Sequence, residues 1–300
     1  MDFWKSKPRK FFRTALTFTP TVHGDVYPSI DPSNPGLSLS GKGIAPAFVK
    51  AGVKGLVLVA RGAEGLKETE SQIRNISSAV DFVSVPTDIS DAGAVDVLFQ
   101  TIATKFGHAD IVVNNAGVNI NHGPLIGDQD PDLWWRNFEI NVKGQFLMTR
   151  KFLHQVPVGA IASIIDITTA GAWPVIPESS GYFPPKLSAL QMTPFVAESY
   201  PHVTAVAVHP GMFDTDIVPE EARDIHEYCD MEAPELVGGF VVWLSHPLAH
   251  FLTGRFVSAQ WDVDELLGRK DEIVSTWRKL QLDMTGPFGM KQFSPPKAVE

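Results

Sequence analysis

Tyr182 and Lys186 stand four residues apart, a spacing that puts both side chains on one face of a helix. A phenol with a pKa near ~10 exchanges protons poorly at neutral pH unless a nearby ammonium lowers that pKa. Together the two residues could pass a proton to or from an alcohol or carbonyl oxygen. The spacing alone is weak evidence, because about one chain in five that has four tyrosines contains Tyr-x-x-x-Lys by chance.

Other polar residues follow directly after apolar runs that the sequence predicts to be strands. In a doubly wound sheet, ligands bind at the carboxyl ends of the strands, so these residues mark a candidate cleft. Asn141 is different, because it lies inside a predicted helix, either as a solvent-facing side chain or as a fixed polar link in the cleft. The residues at strand ends are Arg61, Asp88, Asn114-Asn115-Ala116-Gly117, Thr168-Thr169 and Pro210-Gly211 with Phe213 and Thr215.

Arg61 and Asp88 each allow two interpretations. Arg61 follows the predicted strand at 55–60. At this position in a dinucleotide fold, a cation suits the 2′-phosphate of NADP and an acid suits the ribose of NAD, so Arg61 favours NADP. The alternative is a solvated arginine. Asp88 either accepts a hydrogen bond from an adenine amino group or caps the turn at Ser90-Asp91.

Short apolar runs alternate with longer amphipathic ones from Gly43 onward. Strands without polar alternation, separated by helices, indicate a parallel sheet covered on both faces, that is, a single-domain doubly wound α/β fold of the Rossmann type. The predicted strands are 55–60, 80–86, 110–113, 161–168, 203–208 and 255–259. The predicted helices are 44–51, 62–77, 91–106 with Asp91 as its cap, 130–155, 182–200, 234–245 and 270–282.

Composition excludes several classes of protein. A net charge of −9 leaves no basic field to attract nucleic acid, and the apolar runs are much shorter than the ~20 residues of a membrane span. The single cysteine, Cys229, excludes an intrachain disulfide framework. The histidines lack the His-Glu-x-x-His spacing of a metal site, and no Gly-x-Ser-x-Gly elbow indicates a hydrolase.

The chain divides into an irregular N-terminal arm (1–38), a Rossmann-type domain (39–267) and a C-terminal helix and tail (268–300). A lone thiol is consistent with a cytoplasmic protein. The alternative is a mitochondrial leader, since Met1–Arg13 carries an excess of cations. Few serines and the helix-breaking Pro8 argue against that leader.

The ordered set of residues resembles the classical short-chain dehydrogenase/reductase family over about Leu39–Leu267. The resemblance implies hydride transfer between NAD(P)H and the carbonyl or alcohol carbon of a small-molecule substrate, in a homodimer or homotetramer. The matching features are Asp88, Asn114-Asn115-Ala116-Gly117, Asn141, Thr169, Tyr182 with Lys186, and Pro210-Gly211 with Thr215.

The resemblance also implies a role for each residue. Tyr182 is the general acid/base, and Lys186 lowers its pKa and holds the nicotinamide ribose. Thr169, where the family usually has serine, polarises the carbonyl, and Asn141 completes the proton relay. The cofactor-binding residues are then Arg61, Asp88, Asn115, Tyr182, Lys186, Phe213 and Thr215.

The start of the domain departs from the family. Leu39-Ser40-Gly41-Lys42 resembles the lead-in to the first, central strand, and Gly43–Phe48 resembles the helix that follows the glycine-rich turn. Between Lys42 and Gly43, the strand and the turn that would cradle the pyrophosphate are missing, roughly a dozen residues. We therefore expect a sheet without its usual first strand.

A second departure lies between the two key residues, in Tyr182-Phe183-Pro184-Pro185-Lys186. Proline is tolerated in the first turn of a helix, but a residue that precedes proline is pushed away from helical geometry. Tyr182 and Lys186 share a face only if the helix begins near Tyr182.

Two functions remain open at this point. One is an oxidoreductase that prefers NADP. The other is a catalytically inactive relative, such as a scaffold, a sensor or a product of mis-splicing, that cannot hold the dinucleotide. Substrate identity would depend on the segment after Thr215, with Tyr228, Cys229 and Met231 as candidate wall residues.

Overall fold

The computed structural model describes residues 17–31, 44–213, 215, 217–218, 230–276 and 278–283. Tyr228 and Cys229 lie outside these residues, as do the lead-in at 39–42 and Gly43. None of the described helices is long and apolar enough to cross a membrane.

The described strands agree with the predicted ones to within one or two residues, and every strand pair is parallel. β4 and β5 are buried at every position, which is typical of strands covered by helices on both faces. The strands are β1 (Gly55–Ala60), β2 (Asp81–Pro86), β3 (Ile111–Asn114), β4 (Ala162–Ile167), β5 (Val203–His209) and β6 (Arg255–Ser258).

The helices alternate with the strands, as the sequence predicts for a doubly wound fold. Asp91 caps the third of them by accepting hydrogen bonds from the backbone N–H groups of Gly93 and Ala94. The helices are α1 (Ile44–Lys50), α2 (Ala63–Ile76), α3 (Ala92–Phe106), α4 (Pro131–Phe138), α5 (Gln145–Gln155), α6 (Phe183–Ser199), α7 (Pro234–Leu244), α8 (Val263–Gly268) and α9 (Lys270–Ser275).

Two predicted helices differ from the structure. The helix expected over 130–155 is continuous but changes to π geometry at Glu139–Gly144, between α4 and α5. The helix expected over 270–282 is wrong in length, because α9 ends at Ser275. Arg278 and Leu280 have positive φ angles of 55° and 61°, a left-handed conformation that a helix cannot contain.

The described strands form two separate sheets. β1 pairs with β2 alone, while β3, β4, β5 and β6 form a four-stranded sheet in that order. No described strand lies between β1 and β3, the place where the family has its first strand. Only Leu58 of β1 is buried, although its sequence is that of a core strand.

Residues 17–31 lie against the C-terminal part of the domain. Val22 forms a bridge with Trp261, and the Tyr27 hydroxyl donates to the carbonyl of Trp261 at 3.2 Å and accepts from the Val263 N–H at 2.8 Å. Ile30 is fully buried within the main hydrophobic core beside α7. The backbone of this arm is irregular, yet its side chains complete the core.

Candidate active site

Tyr182 and Lys186 lie at the start of α6. Tyr182 is the N-cap residue and has helical backbone angles, with φ −107° and ψ −49°. Pro184 and Pro185 therefore fall in the first turn, where no backbone N–H is needed. The Lys186 N–H donates to the Tyr182 carbonyl at 3.2 Å, and the Lys186 Nζ lies 5.9 Å from the centre of the Tyr182 ring. The proline pair thus leaves the two side chains close together.

The amine of Lys186 is buried at the carboxyl end of β4. Its Nζ donates to the Ile167 carbonyl at 3.1 Å, and the Thr168 hydroxyl donates to the Lys186 carbonyl at 2.7 Å, so both ends of the residue are fixed to this strand end. Burial lowers the pKa of Lys186 to about 8, although the nearby Asp166 opposes that shift.

The phenol of Tyr182 differs from what the resemblance implies. Burial raises its pKa above the ordinary value, and no charged neighbour lowers it. Tyr182 is therefore protonated at neutral pH in this structure.

Asn141 lies in the π-helical segment between α4 and α5. Its Oδ1 accepts from the Val118 N–H at 3.0 Å and its Nδ2 donates to the Val118 carbonyl at 2.8 Å. π turns inside α-helices are often found at functional sites. Asn141 is buried, so it is a fixed link to the segment after β3 rather than a solvent-facing side chain.

Gly117 lets this segment approach Lys186 closely. A Cβ atom added at Gly117 would lie 2.8 Å from the Asn141 Oδ1 and 2.9 Å from the Lys186 Nζ. Any side chain there would push the amine or the amide away. The glycine of Asn114-Asn115-Ala116-Gly117 therefore keeps the backbone beside the amine, as expected at a ligand site.

Thr169 and the residues after β5 complete the wall beside Tyr182. The Thr169 Oγ1 accepts from the Gly171 N–H at 3.1 Å, which leaves its own proton free to donate. Asn115, Phe213 and Thr215 line the same cavity as Thr169, Tyr182 and Lys186.

Arg61 and Asp88 do not line this cavity. The Asp88 Oδ1 accepts from the N–H and hydroxyl of Ser90, and its Oδ2 pairs with Arg136 at 2.9 Å. The Ser90 hydroxyl contributes most to holding the Asp88 pKa below its usual value. Asp88 thus makes the capping contacts that the sequence allowed, and Arg61 is exposed after β1.

The cavity has a volume of about 1570 Å³ and extends from Tyr182 into the gap between the two sheets. One part is lined by the polar residues described above. The other part is lined by β1 and β3 and by apolar residues of α1 and α3, including Phe48, Leu98 and Ile102. The space between the described strands β1 and β3 is therefore continuous with the candidate active site.

The described residues fit one half of a nicotinamide dinucleotide. At the nicotinamide end, Lys186, Asn115 and Thr215 line one cavity together with Gly117. At the pyrophosphate end, no described glycine turn precedes α1 to supply backbone N–H groups. That end of the cofactor lacks its usual cradle among the described residues.

Sequence reasoning did not single out Asp166. Its side chain is buried near the end of β4, and its Oδ1 accepts from the Asn114 Nδ2 at 2.7 Å. A carboxyl inside the mostly apolar strand Ala162–Ile167 was the available signal, because acids are rarely buried without a partner. His209, at the end of β5, is a buried residue whose Nδ1 accepts from the Ala170 N–H at 3.3 Å, as expected of a structural histidine.

Comparisons with known proteins identify the family of this chain. The family model described as short chain dehydrogenase matches residues 40–226. The chain is 33% identical to the short chain dehydrogenase tazN of Aspergillus terreus, over 85% of this chain and 59% of that protein, so it spans little more than half of that relative. It is 32% identical to the short chain dehydrogenase mpl6 of Monascus purpureus, over 86% of this chain and 94% of that protein.

The fold leads to the same family. A dehydrogenase/reductase from Sinorhizobium meliloti superposes with a TM-score of 0.64 at 25% identity, over 73% of this chain and 89% of that one. The matched region contains Asn141, Thr169, Tyr182 and Lys186, which the structure brings to one strand-end cleft. The chain belongs to the short-chain dehydrogenase family.

Proposed function

We propose that this protein is an NADP-preferring oxidoreductase that interconverts a small or lipophilic carbonyl and its alcohol. Membership of the family supports an NAD(P)-dependent oxidoreductase in general. The observation that carries the proposal is the meeting of Tyr182, Lys186 and Thr169 on one wall of the cavity. The preference for NADP rests on Arg61, an exposed cation at the end of β1.

The chain's own residues act on the oxygen of the substrate. Tyr182, protonated at neutral pH, donates its phenolic proton to the carbonyl oxygen as negative charge develops there. Thr169 donates a hydrogen bond to the same oxygen, and the Lys186 ammonium stabilises the phenolate that remains. When bound, the reduced nicotinamide supplies the hydride to the carbonyl carbon.

A mutation at Tyr182 tests this proposal. Tyr182→Phe removes the proton donor without changing the ring, so the rate of NADPH-dependent carbonyl reduction should fall about 10²- to 10⁴-fold. Tyr200→Phe, at the other end of the same helix, is the matched control and should keep full activity. Equal turnover in the two variants would show that the Tyr182 phenol is not the donor.

A second candidate function is a catalytically inactive relative that does not bind the dinucleotide. It is favoured because no described strand lies between β1 and β3 and because the sequence before α1 lacks the glycine-rich motif of the family. A thermal-shift measurement separates the two, because a ligand that binds only the folded chain raises Tm by mass action. NADPH should raise Tm if the first proposal is correct and leave it unchanged if the second is.

A homodimer or homotetramer remains a prediction of family membership. It is supported by Phe146 on α5 and Phe195 on α6, whose side chains are 51% and 68% exposed. Such aromatic side chains on neighbouring helices are typical of a surface that a partner subunit covers.

Cytoplasmic location also stays a prediction.

A further inference from the structure

Asp166 is a buried carboxyl that the catalytic proposal does not use. It lies on β4 one residue before Ile167, whose carbonyl accepts from the Lys186 Nζ. Its carboxylate accepts a hydrogen bond from Asn114, its register partner on β3, and the amide of Gln145 also acts on it. None of the described ion pairs includes Asp166, although isolated buried charges are costly.

We propose that Asp166 is a positioning residue for Tyr182 and Lys186, whose carboxylate keeps the buried amine protonated; this inference rests on the proposed function. Asp166 does not touch the reacting atoms. It acts through the charge of Lys186, which in turn stabilises the phenolate that Tyr182 becomes.

The surroundings of Asp166 contain one opposite charge. Lys186 on α6 is the charged group that acts on the carboxyl, and it favours the ionised form. The other described strands and helices packed around it contribute neutral groups, so among the described residues no second cation acts on Asp166. These groups are the amides of Asn114 on β3 and Gln145 on α5, the Thr149 hydroxyl that accepts from Asn114, and the backbone of Ala207 on β5.

The titration of the two groups is consistent with this coupling. Burial raises the pKa of Asp166 to about 6 and lowers that of Lys186 to about 8, and each group opposes the effect of burial on the other. Between these values, carboxylate and ammonium are present together. Removing the carboxylate leaves burial unopposed, so the amine should lose its proton at a lower pH.

The test is a pH titration of the Lys186 side chain by NMR on ¹³C-labelled protein without cofactor or substrate. In Asp166→Asn, which keeps the shape of the side chain, the Lys186 midpoint should fall by about one pH unit, or about tenfold in acid dissociation constant. Asp96→Asn removes an exposed acid that pairs with Lys151 and should leave the midpoint unchanged.

The wild-type protein provides a second measurement if Asp166→Asn does not fold. The Lys186 resonance should show a smaller inflection near pH 6, where Asp166 titrates. An unchanged midpoint in folded Asp166→Asn, or no inflection in the wild type, would overturn the proposal. Because the titration needs no turnover, an inactive chain with a shifted Lys186 would refute the proposed function and leave this role of Asp166 intact.

Discussion

At the scale of single residues, burial acts against the charged forms of both Tyr182 and Lys186. It raises the pKa of the phenol and lowers that of the amine to about 8. The spacing of the pair could be predicted from the sequence, since the first-turn prolines fit a helix that begins at Phe183. The direction of the phenol shift could not, because it depends on how deeply the tertiary fold buries the ring.

His209 should make the folded protein sensitive to acid. Burial lowers its pKa to about 4 from an ordinary value of 6.5. The folded state therefore binds the proton less well than the unfolded state, and stability present above pH 6.5 is lost as the pH falls toward 4. The loss is on the order of 3 kcal/mol. Asp166 acts in the opposite direction between its ordinary value of 3.8 and about 6.

A variant separates these opposing effects. His209→Asn should lower the free energy of unfolding at pH 7 but show a smaller further loss between pH 6.5 and 4, as measured by urea denaturation. The same pH slope in His209→Asn and wild type would mean that this histidine is not the group that titrates.

At the scale of helices and strands, hydrophobic pattern and capping residues located most of the segments. Asp91 caps the start of α3, and the apolar runs correspond to the strands. Both the capping residue and the apolar run act over a few neighbouring residues, so the sequence alone shows them. The π segment around Asn141 was not predictable from periodicity, although a mid-helix asparagine gave a hint of it. The early end of α9 was missed because the left-handed turn at Arg278 and Leu280 has no glycine to mark it.

The packing of the 17–31 arm on α7 gives a prediction at this scale. A Cβ atom at Gly239 would lie 2.3 Å from the Ile30 carbonyl oxygen, so Gly239→Ala must displace the arm. We expect a loss of about 1–3 kcal/mol in the free energy of unfolding and faster proteolysis within the arm.

Gly65→Ala is the matched control for that variant. Gly65 lies in α2 with no atom within 4 Å of an added Cβ, so alanine should leave stability unchanged or raise it by about 0.5–1 kcal/mol. If Gly239→Ala were as stable as Gly65→Ala, the close contact with Ile30 would not exist in solution.

At the scale of the whole molecule, the main feature is the division of the sheet into two parts. The segment that the sequence lacks by comparison with the family pattern, between Lys42 and Gly43, predicts a gap, and the described strands form two sheets with a cavity lined by β1 and β3. The sequence could not show whether these flanking strands would keep their places. Packing holds the first pair of strands together, because β1 and β2 lie on α2 through a cluster that includes Leu58, Leu66 and Ile73.

Restoring the missing segment should therefore stabilise the protein. An apolar strand of about six residues with a glycine-rich turn, inserted between Lys42 and Gly43, would pair with β1 and β3, which no described strand joins. We expect Tm to rise by at least about 5 °C, at roughly 2–4 °C per kcal/mol, and the affinity for NADPH to increase. A scrambled insert of the same composition is the control, and an equal Tm for both inserts would show that the gap is not a strand site.

Calorimetric titration of NADPH and NADH into the folded chain tests the central claim most directly, because it asks whether the dinucleotide binds without its glycine turn. We predict saturable heat with both cofactors, because both would make the same nicotinamide contacts near Lys186. We predict tighter binding of NADPH, because the cation of Arg61 suits its 2′-phosphate. The absence of heat with either cofactor, on protein whose circular dichroism shows a native fold, would contradict the account and favour the inactive relative.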